Sequence, residues 1–431
     1  FYSLKDEQTL SFIPTNDSTS RENYTEEVAD GVRLLKIGCL YGSNASGKTN
    51  ILKALDFFAR FMVKDSLNKG DETYVVPFLL DDVSAKEKTE FEMTFYQNRE
   101  RYKLNLVLNN KVIYSEVLQV YSSAQPTMLY KRSYNAETDS TDIVFGGKIG
   151  LLKKSRETIL GNTINNRTVI AAFGLSNVEK SRLNLVYDFF LQGIAHLMYP
   201  QSDLMGFTKS RLKRDGDGRL KKFILHFLKA SDFNISDISV HEEDMAITPT
   251  LEMMIKSTPG MSEVTKMEIL KKGVITSEEM FFMHHTEYGE KELDESLESR
   301  GTKRYMGLAT ILYDLLAHGV ILPIDEIETS IHYELLSYFI KVFLVNSKKG
   351  AQLIISTHDI NLLDEDYIRR DVIWFTDKND CGETKLIRLS SLGLHKTLSV
   401  YNAYKQEKLV DLPFLDSIYM DMEEYYGNEE E

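Results

Sequence analysis

Gly42-Ser43-Asn44-Ala45-Ser46-Gly47-Lys48-Thr49 is the stretch on which the reading of this chain turns. Its spacing, G-x-x-x-x-G-K-[ST], is that of a P-loop. The two glycines let the backbone curl until its N–H groups face phosphate oxygens, and the helix that follows adds the positive end of its dipole. Lys48 is placed to reach the β- and γ-phosphates of a nucleotide, and Thr49 to ligate Mg²⁺. The whole stretch with Asn50 is the candidate nucleotide cradle. Its context agrees, because Val32 to Tyr41 is mostly apolar and Ile51, Leu52, Leu55, Phe58 and Met62 follow at helical spacing. That order is strand, loop, helix. The bland alternative is a chance glycine turn, which would need neither flank.

Further out, Tyr102, Leu104, Leu106 and Leu108 alternate with polar or smaller residues, Asn109-Asn110 marks a turn, and Val112 to Val120 is strand-like again. Residues 72–122 therefore predict a small antiparallel sheet. Residues 157–198 read as helical. From about 200 to 290 no clear order holds, and no heptad pattern is sustained. This region is expected to be a mostly helical insertion. The last third alternates again: a helix over 302–318, a short strand Val320 to Ile324, a helix Leu335 to Leu344, then strands Leu353 to Ser356 and Val372 to Phe375. The expected division is 1–199 as a first lobe, 200–290 as the insertion and 291–431 as a second lobe.

Composition sets the limits. With 431 residues, 42% hydrophobic and 27% charged, the chain reads as an ordinary soluble globular protein with core enough for two or three domains. No apolar run approaches the ~18–20 residues that span a bilayer, so no membrane association is expected. No secretory signal is read, and because the sequence opens on Phe1 without a Met the true start is expected upstream. Cys39 and Cys381 fit no metal spacing and suit a reducing cytoplasm. A net charge of −14 argues against a general, sequence-blind DNA binder. The acidic ends Glu423-Glu424 and Glu429-Glu430-Glu431 read as a solvated tail.

Three further motifs give the P-loop its chemistry. Val320-Ile321-Leu322-Pro323-Ile324-Asp325-Glu326 is an apolar strand ending in two acids, the form of a Walker B. Asp325 would hold Mg²⁺ through water, and Glu326 would polarise the attacking water as general base. Pro323 stands where a ladder N–H is normally wanted, which predicts a bend or bulge. Ser299-Arg300-Gly301-Thr302 stands before a long helix. Alone it is an N-cap, but between P-loop and Walker B it has the form of an ABC signature, in which Ser299, Gly301 and Thr302 contact a nucleotide held by a second chain. His358, just after the strand ending Ile354-Ile355-Ser356, is placed to contact a γ-phosphate.

These elements, in this order, resemble the RecF/OLD-like branch of ABC ATPases, which includes ATPases of bacterial abortive-infection and restriction-linked antiphage loci (the PARIS and Septu types among them). The resemblance rests on Phe1 to Phe12 as an opening strand, Tyr41 to Asn50 against "GxNASGKSN", Ser299 to Arg304 against "SxGTxR", Asp325 to His332 against "DEIExSLH", and the segments Trp374 to Lys378 and Tyr404 to Pro413. It implies an α/β ABC-type P-loop ATPase, a RecF/SMC-like head with an antiparallel β-subdomain and a helical insertion. It further implies ATP and Mg²⁺ as ligands, and head-to-tail dimers with ATP between Lys48 of one chain and Ser299 of the other. Catalysis would use Lys48, Glu326 and His358, with Mg²⁺ on Thr49 and Asp325. Ser330 and His332 would lie near the shared sites, although Ser330 reads equally as a helix cap and His332 as a packing residue. Gln97 and Gln119 both stand as candidates for the lid glutamine.

OLD-type nucleases carry a Toprim module after the ATPase, whereas only about 70 residues follow His358 here, fewer than a typical domain. Asp364-Glu365-Asp366 and Asp377 to Asp380 read as loop and cap carboxylates rather than a metal cluster. The resemblance therefore implies a cytoplasmic sensor or scaffold that controls a separately encoded effector, a nuclease or toxin. The alternative is a RecF-like repair ATPase acting on DNA. Lys209, Arg211, Lys213, Arg214, Arg219, Lys221 and Lys222 would serve that role or contact an acidic partner, or else form a solvated face.

Overall fold

All five residues of Ile37–Tyr41 are buried, the pattern of a strand covered on both faces. In the computed structural model this strand stands between Gln352–Ser356 and Ile373–Lys378, with Thr384–Arg388 beyond the latter. Ile373–Lys378 runs parallel to it, Trp374 facing Leu40, and antiparallel to Thr384–Arg388. The structure describes residues 1–258, 261–395, 398–406 and 409. The acidic tail and the remainder of Tyr404 to Pro413 lie outside the described residues.

The chain forms two compact units. The first holds Phe1–Ser20, Glu27–Ile194 and the chain from Ile354 onward. Here the P-loop helix Lys48–Met62 buries Ile51, Leu52, Phe58, Phe61 and Met62. Phe58 stacks on Phe91 at 5.5 Å and meets Phe190 edge-on at 5.7 Å, so the helix is held by the antiparallel sheet and by the turn at Phe189–Gly193. That sheet is a five-stranded meander, Thr89–Gln97, Glu100–Leu108, Ile113–Tyr121, Thr127–Asn135 and Ser140–Phe145. Its core face carries Tyr102, Leu104, Leu106, Leu108, Leu118 and Val120. The turn expected at Asn109-Asn110 is present, with the Asn109 side chain accepting from the N–H groups of Lys111 and Val112 at 2.9 Å. The opening segment is a correction. Phe1 to Phe12 forms no strand, because its contacts are scattered: Thr384 N–H donates to the Ser3 carbonyl at 2.7 Å, and Leu386 N–H is taken by the Gln8 side chain.

The second unit is Arg21–Glu26 with Ala195–Leu353, so residues 200–290 share it with the signature helix Arg300–His318 and the Walker B strand Ile321–Ile324. The region 200–290 is less helical than expected. Beside Leu204–Lys213, Arg219–Ala230, Pro249–Ser257 and Glu263–Lys272 it contains two long strands, Ile235–Ala246 and Val274–Thr286, which with Gly289–Asp294 make a three-stranded antiparallel sheet. Along Val274–Thr286 only Met280 and Phe282 are fully buried, so the period-2 signal is diluted by acids and histidines over most of the strand.

The expected bend at Pro323 is resolved by what lies beside it. A strand residue directs its N–H and C=O to the same side. The Pro323 carbonyl accepts from Met198 N–H at 3.0 Å, so the missing N–H faces residues 195–198. That segment makes a single parallel bridge, Met198 to Ile324, not a ladder, and tolerates the loss.

Candidate functional site

In the first unit the loop Gly42–Thr49 is braced from outside. Ser46 Oγ and Thr376 Oγ1 share a hydrogen bond of 2.5 Å, and Thr376 Oγ1 also donates to the Tyr41 carbonyl at 3.2 Å. Thr384 Oγ1 donates to the Ser46 carbonyl at 2.8 Å and shares a 2.7 Å bond with Ser3 Oγ. Asn50 spends its amide on Ser3 Oγ at 2.7 Å, which makes it a buttress beneath the loop. Lys48 is buried, and its ammonium donates to the carbonyls of Gly42 and Ser43 at 2.9 and 3.1 Å. Ser43 is half-buried, and Asn44 and Ala45 are exposed at the tip, Ala45 with φ of 60°.

The packing of the loop requires a glycine at position 47. Gly47 caps the helix with φ of 110° and offers no side chain to its N-terminus. A Cβ there would lie 2.1 Å from Thr384 Oγ1. Gly47→Ala is therefore expected to distort the loop and weaken ATP binding at least ~10-fold, since left-handed strain costs about 1–3 kcal/mol and the clash adds to it. Titration with a fluorescent ATP analogue checks this, and Thr384→Ala in the same chain should restore part of the affinity by opening space.

His358 belongs to the same unit. Thr357 N–H donates to the Leu40 carbonyl at 3.1 Å, which brings the exposed His358 out beside the beginning of the P-loop. Asp359 then caps the turn Ile360–Asp364. Gln119 lies within the antiparallel strand Ile113–Tyr121 and Gln97 ends Thr89–Gln97.

The second unit carries the other motifs. Asp325 is 4% exposed, and its N–H donates to the Met198 carbonyl at 2.8 Å. Glu326 follows with φ of 46°, a left-handed conformation that costs a non-glycine residue about 1–3 kcal/mol and recurs at functional sites. Its carbonyl accepts from Thr329 N–H at 3.0 Å, which closes the turn. The hydroxyl and carboxylate of Thr49 and Asp325 are hard oxygen donors of the kind Mg²⁺ prefers. Among the described residues no group of three or more His, Cys, Asp or Glu side chains could hold a metal ion.

Ser299 is exposed and caps the signature helix, its Oγ accepting from Thr302 N–H at 3.0 Å and bonding Thr302 Oγ1 at 2.8 Å. A Cβ on Gly301 would stand 2.9 Å from the Ser330 carbonyl, so the signature and the loop after the Walker B touch within this unit. Ser330 has φ of 63° and is not the cap of the next helix. His332 is, accepting from Glu334 N–H through Nδ1 at 3.4 Å.

Thr376, Thr384 and Ser3 were not singled out as site residues. Short hydroxyl side chains leave no pattern in a sequence, and only the close approach of glycine backbone betrays them. The basic cluster is largely neutralised. Lys209 pairs with Glu295, Arg211 with Asp314, Lys213 with Glu242 and Glu278, Arg219 with Asp217, and Lys221 with Asp237.

A family model described as "AAA domain, putative AbiEii toxin, Type IV TA system" matches residues 37–364. No curated protein matches the chain. Among solved structures, the SMC head domain from Thermotoga maritima is 12% identical with a TM-score of 0.35, over 85% of this chain and 97% of that one. An SMC head bound to the C-winged helix domain of ScpA is 14% identical with a TM-score of 0.32, over 87% and 94%. An SMC head with an extended coiled coil, bound to the C-terminal domain of ScpA derived from Pyrococcus furiosus, is 11% identical with a TM-score of 0.34, over 88% and 94%.

Proposed function

The chain belongs to the AAA-domain family described as putative AbiEii toxin, Type IV TA system, and has the α/β fold of an ABC-type P-loop ATPase; from that premise we propose that it binds and hydrolyses ATP as the cytoplasmic sensor or scaffold of an antiphage system. The observation that carries the ATPase reading is the braced P-loop, whose glycine geometry and buried lysine suit a triphosphate. Lys48 offsets charge on the β- and γ-phosphates. Glu326 orients the attacking water and accepts its proton, and His358 contacts the γ-phosphate. Mg²⁺, held by Thr49 and Asp325, would draw negative charge from the phosphate oxygens. Ser299, Gly301 and Thr302 serve the nucleotide of a second copy, head to tail, which the exposure of Ser299 at the helix start supports. Turnover per chain should then rise with protein concentration.

The defence role rests on the motif resemblance and on the family's description. A toxin–antitoxin system comprises two products, which supports a separately encoded partner. The paired basic cluster weakens the DNA-repair alternative. The test is capture of the tagged chain from its native cells in ATP and Mg²⁺, with mass spectrometry and a nucleic-acid assay on the eluate. A stoichiometric protein partner without DNA is the expected result. DNA without a partner would transfer the role to repair.

A further inference from the structure

The signature helix Arg300–His318 lies along the helix Leu204–Lys213 with matched contacts. A Cβ on Gly307 would come within 2.4 Å of Leu204 Cβ, Thr310 Oγ1 bonds Thr208 Oγ1 at 3.0 Å, and Asp314 takes both Nε and Nη2 of Arg211, at 2.9 and 2.5 Å. Arg304 begins this series. It is 7% exposed, and its Nη1 donates to the Pro200 carbonyl at 3.1 Å. Its Nε and Nη2 are buried with no hydrogen-bond partner. Burial lowers its pKa from the ordinary arginine value.

Pro200 sits in a tight turn, where Ser202 N–H donates to the Tyr199 carbonyl and Tyr199 N–H to Ser202 Oγ, both at 3.0 Å. Two residues earlier is Met198, which donates to Pro323 and accepts from Asp325 N–H. A short rigid path thus joins the fifth residue after Ser299 to the backbone that presents Asp325.

We propose that Arg304 is a positioning residue that couples the start of the signature helix to the placement of Asp325 through Pro200 and Met198. The proposal rests on the ATPase reading above. A guanidinium buried with one neutral acceptor costs stability, and apolar replacements of buried charge are often neutral or stabilising. Stability alone therefore gives no reason for an arginine at this position. A shift of the signature on meeting a second copy's nucleotide would move Pro200 through Arg304, and Met198 would carry the displacement to Asp325.

The test compares the full-length chain with Arg304→Met and Arg304→Lys. Arg304→Met is expected to melt at the same temperature or higher, to keep its KM for ATP within about twofold, and to lose at least ~10-fold in kcat, as a small misplacement near the chemistry can do. Arg304→Lys, which can still reach the Pro200 carbonyl, should recover part of kcat. Hydrogen exchange at the Asp325 amide should be faster in Arg304→Met, a readout that needs no turnover. An unchanged kcat in a chain that hydrolyses ATP would overturn the proposal. So would a kcat loss that tracks a lowered melting temperature, which marks a merely structural role. Absence of ATP turnover in the parent chain would sink the ATPase reading instead, and unchanged protection of Asp325 would then decide against the coupling by itself.

Discussion

Glu326→Gln is expected to lower ATP turnover by at least ~10²-fold while leaving ATP affinity within a few-fold, because a positioned general base contributes about 10²–10⁴ in rate. Glutamine keeps the size of the side chain and its hydrogen-bonding reach but cannot accept the proton of the attacking water. The backbone is already committed to presenting this side chain. Asp325 is anchored through its N–H to Met198, and Glu326 turns out of the strand at φ of 46°, held by the bond from Thr329. Both of these anchors are backbone bonds, which glutamine retains. With hydrolysis blocked, ATP-bound chains should accumulate as dimers or larger assemblies, seen as an earlier elution on size-exclusion in ATP and Mg²⁺ but not in ADP. Turnover at the parent rate would remove Glu326 from its role.

The P-loop, its flanking strand and helix, the Walker B strand and the signature helix were legible because each joins a fixed spacing to a strong period. Their positions differ from expectation by a residue or two at the ends, as helix and strand termini generally do, except that the run Val32 to Tyr41 divides into two strands, Val32–Leu35 and Ile37–Tyr41, which belong to different sheets. The sheet at 235–294 was not legible. Its first long strand reads Ile235-Ser236-Asp237-Ile238-Ser239-Val240-His241, where Ile238 and Val240 alternate, and then turns acidic, so the apolar signal stops halfway along a continuous strand. The first-unit meander was half legible. Its alternation from Tyr102 onward marks the core face, and the same parity puts Glu116 and Arg132 on that face with Leu118, Val120 and Tyr130. A charge within a strand is read by habit as solvent-facing. Parity was the signal available here, and it places both charges inside.

Glu116→Ala is the substitution expected to cost most stability, about 3–5 kcal/mol, because it leaves a buried charge uncompensated. Glu116 and Arg132 face each other across neighbouring strands and are both 0% exposed. The carboxylate accepts from the Tyr130 hydroxyl at 2.5 Å and from Val169 N–H at 2.9 Å. Burial pushes its pKa up, while Arg132 and these donors pull it back. Arg132 gives Nη2 to the carbonyls of Ile164 and Asn165 and to Thr141 Oγ1, and burial lowers its pKa to about 10. Deleting the carboxylate strands that guanidinium and orphans Val169 N–H at the start of the helix Val169–Gly174. Thr168, which caps this helix, also donates to the Met62 carbonyl at the end of the P-loop helix, so the damage should reach nucleotide binding as well. Whole-domain stability is about 5–15 kcal/mol, and the loss is a large part of it. The urea midpoint of Glu116→Ala should therefore fall steeply, with soluble yield falling in parallel. The paired change Glu116→Leu with Arg132→Met separates charge from packing. It removes both ions together, which is often neutral or favourable, but still leaves Val169 N–H unsatisfied at about 1–3 kcal/mol. Recovery of most, not all, of the midpoint is expected. A single variant within about 1 kcal/mol of the parent would show that the charges are not interdependent. A double variant no better than the single would show that the hydrogen bonds to Val169, not the buried ions, hold the sheet to the helix.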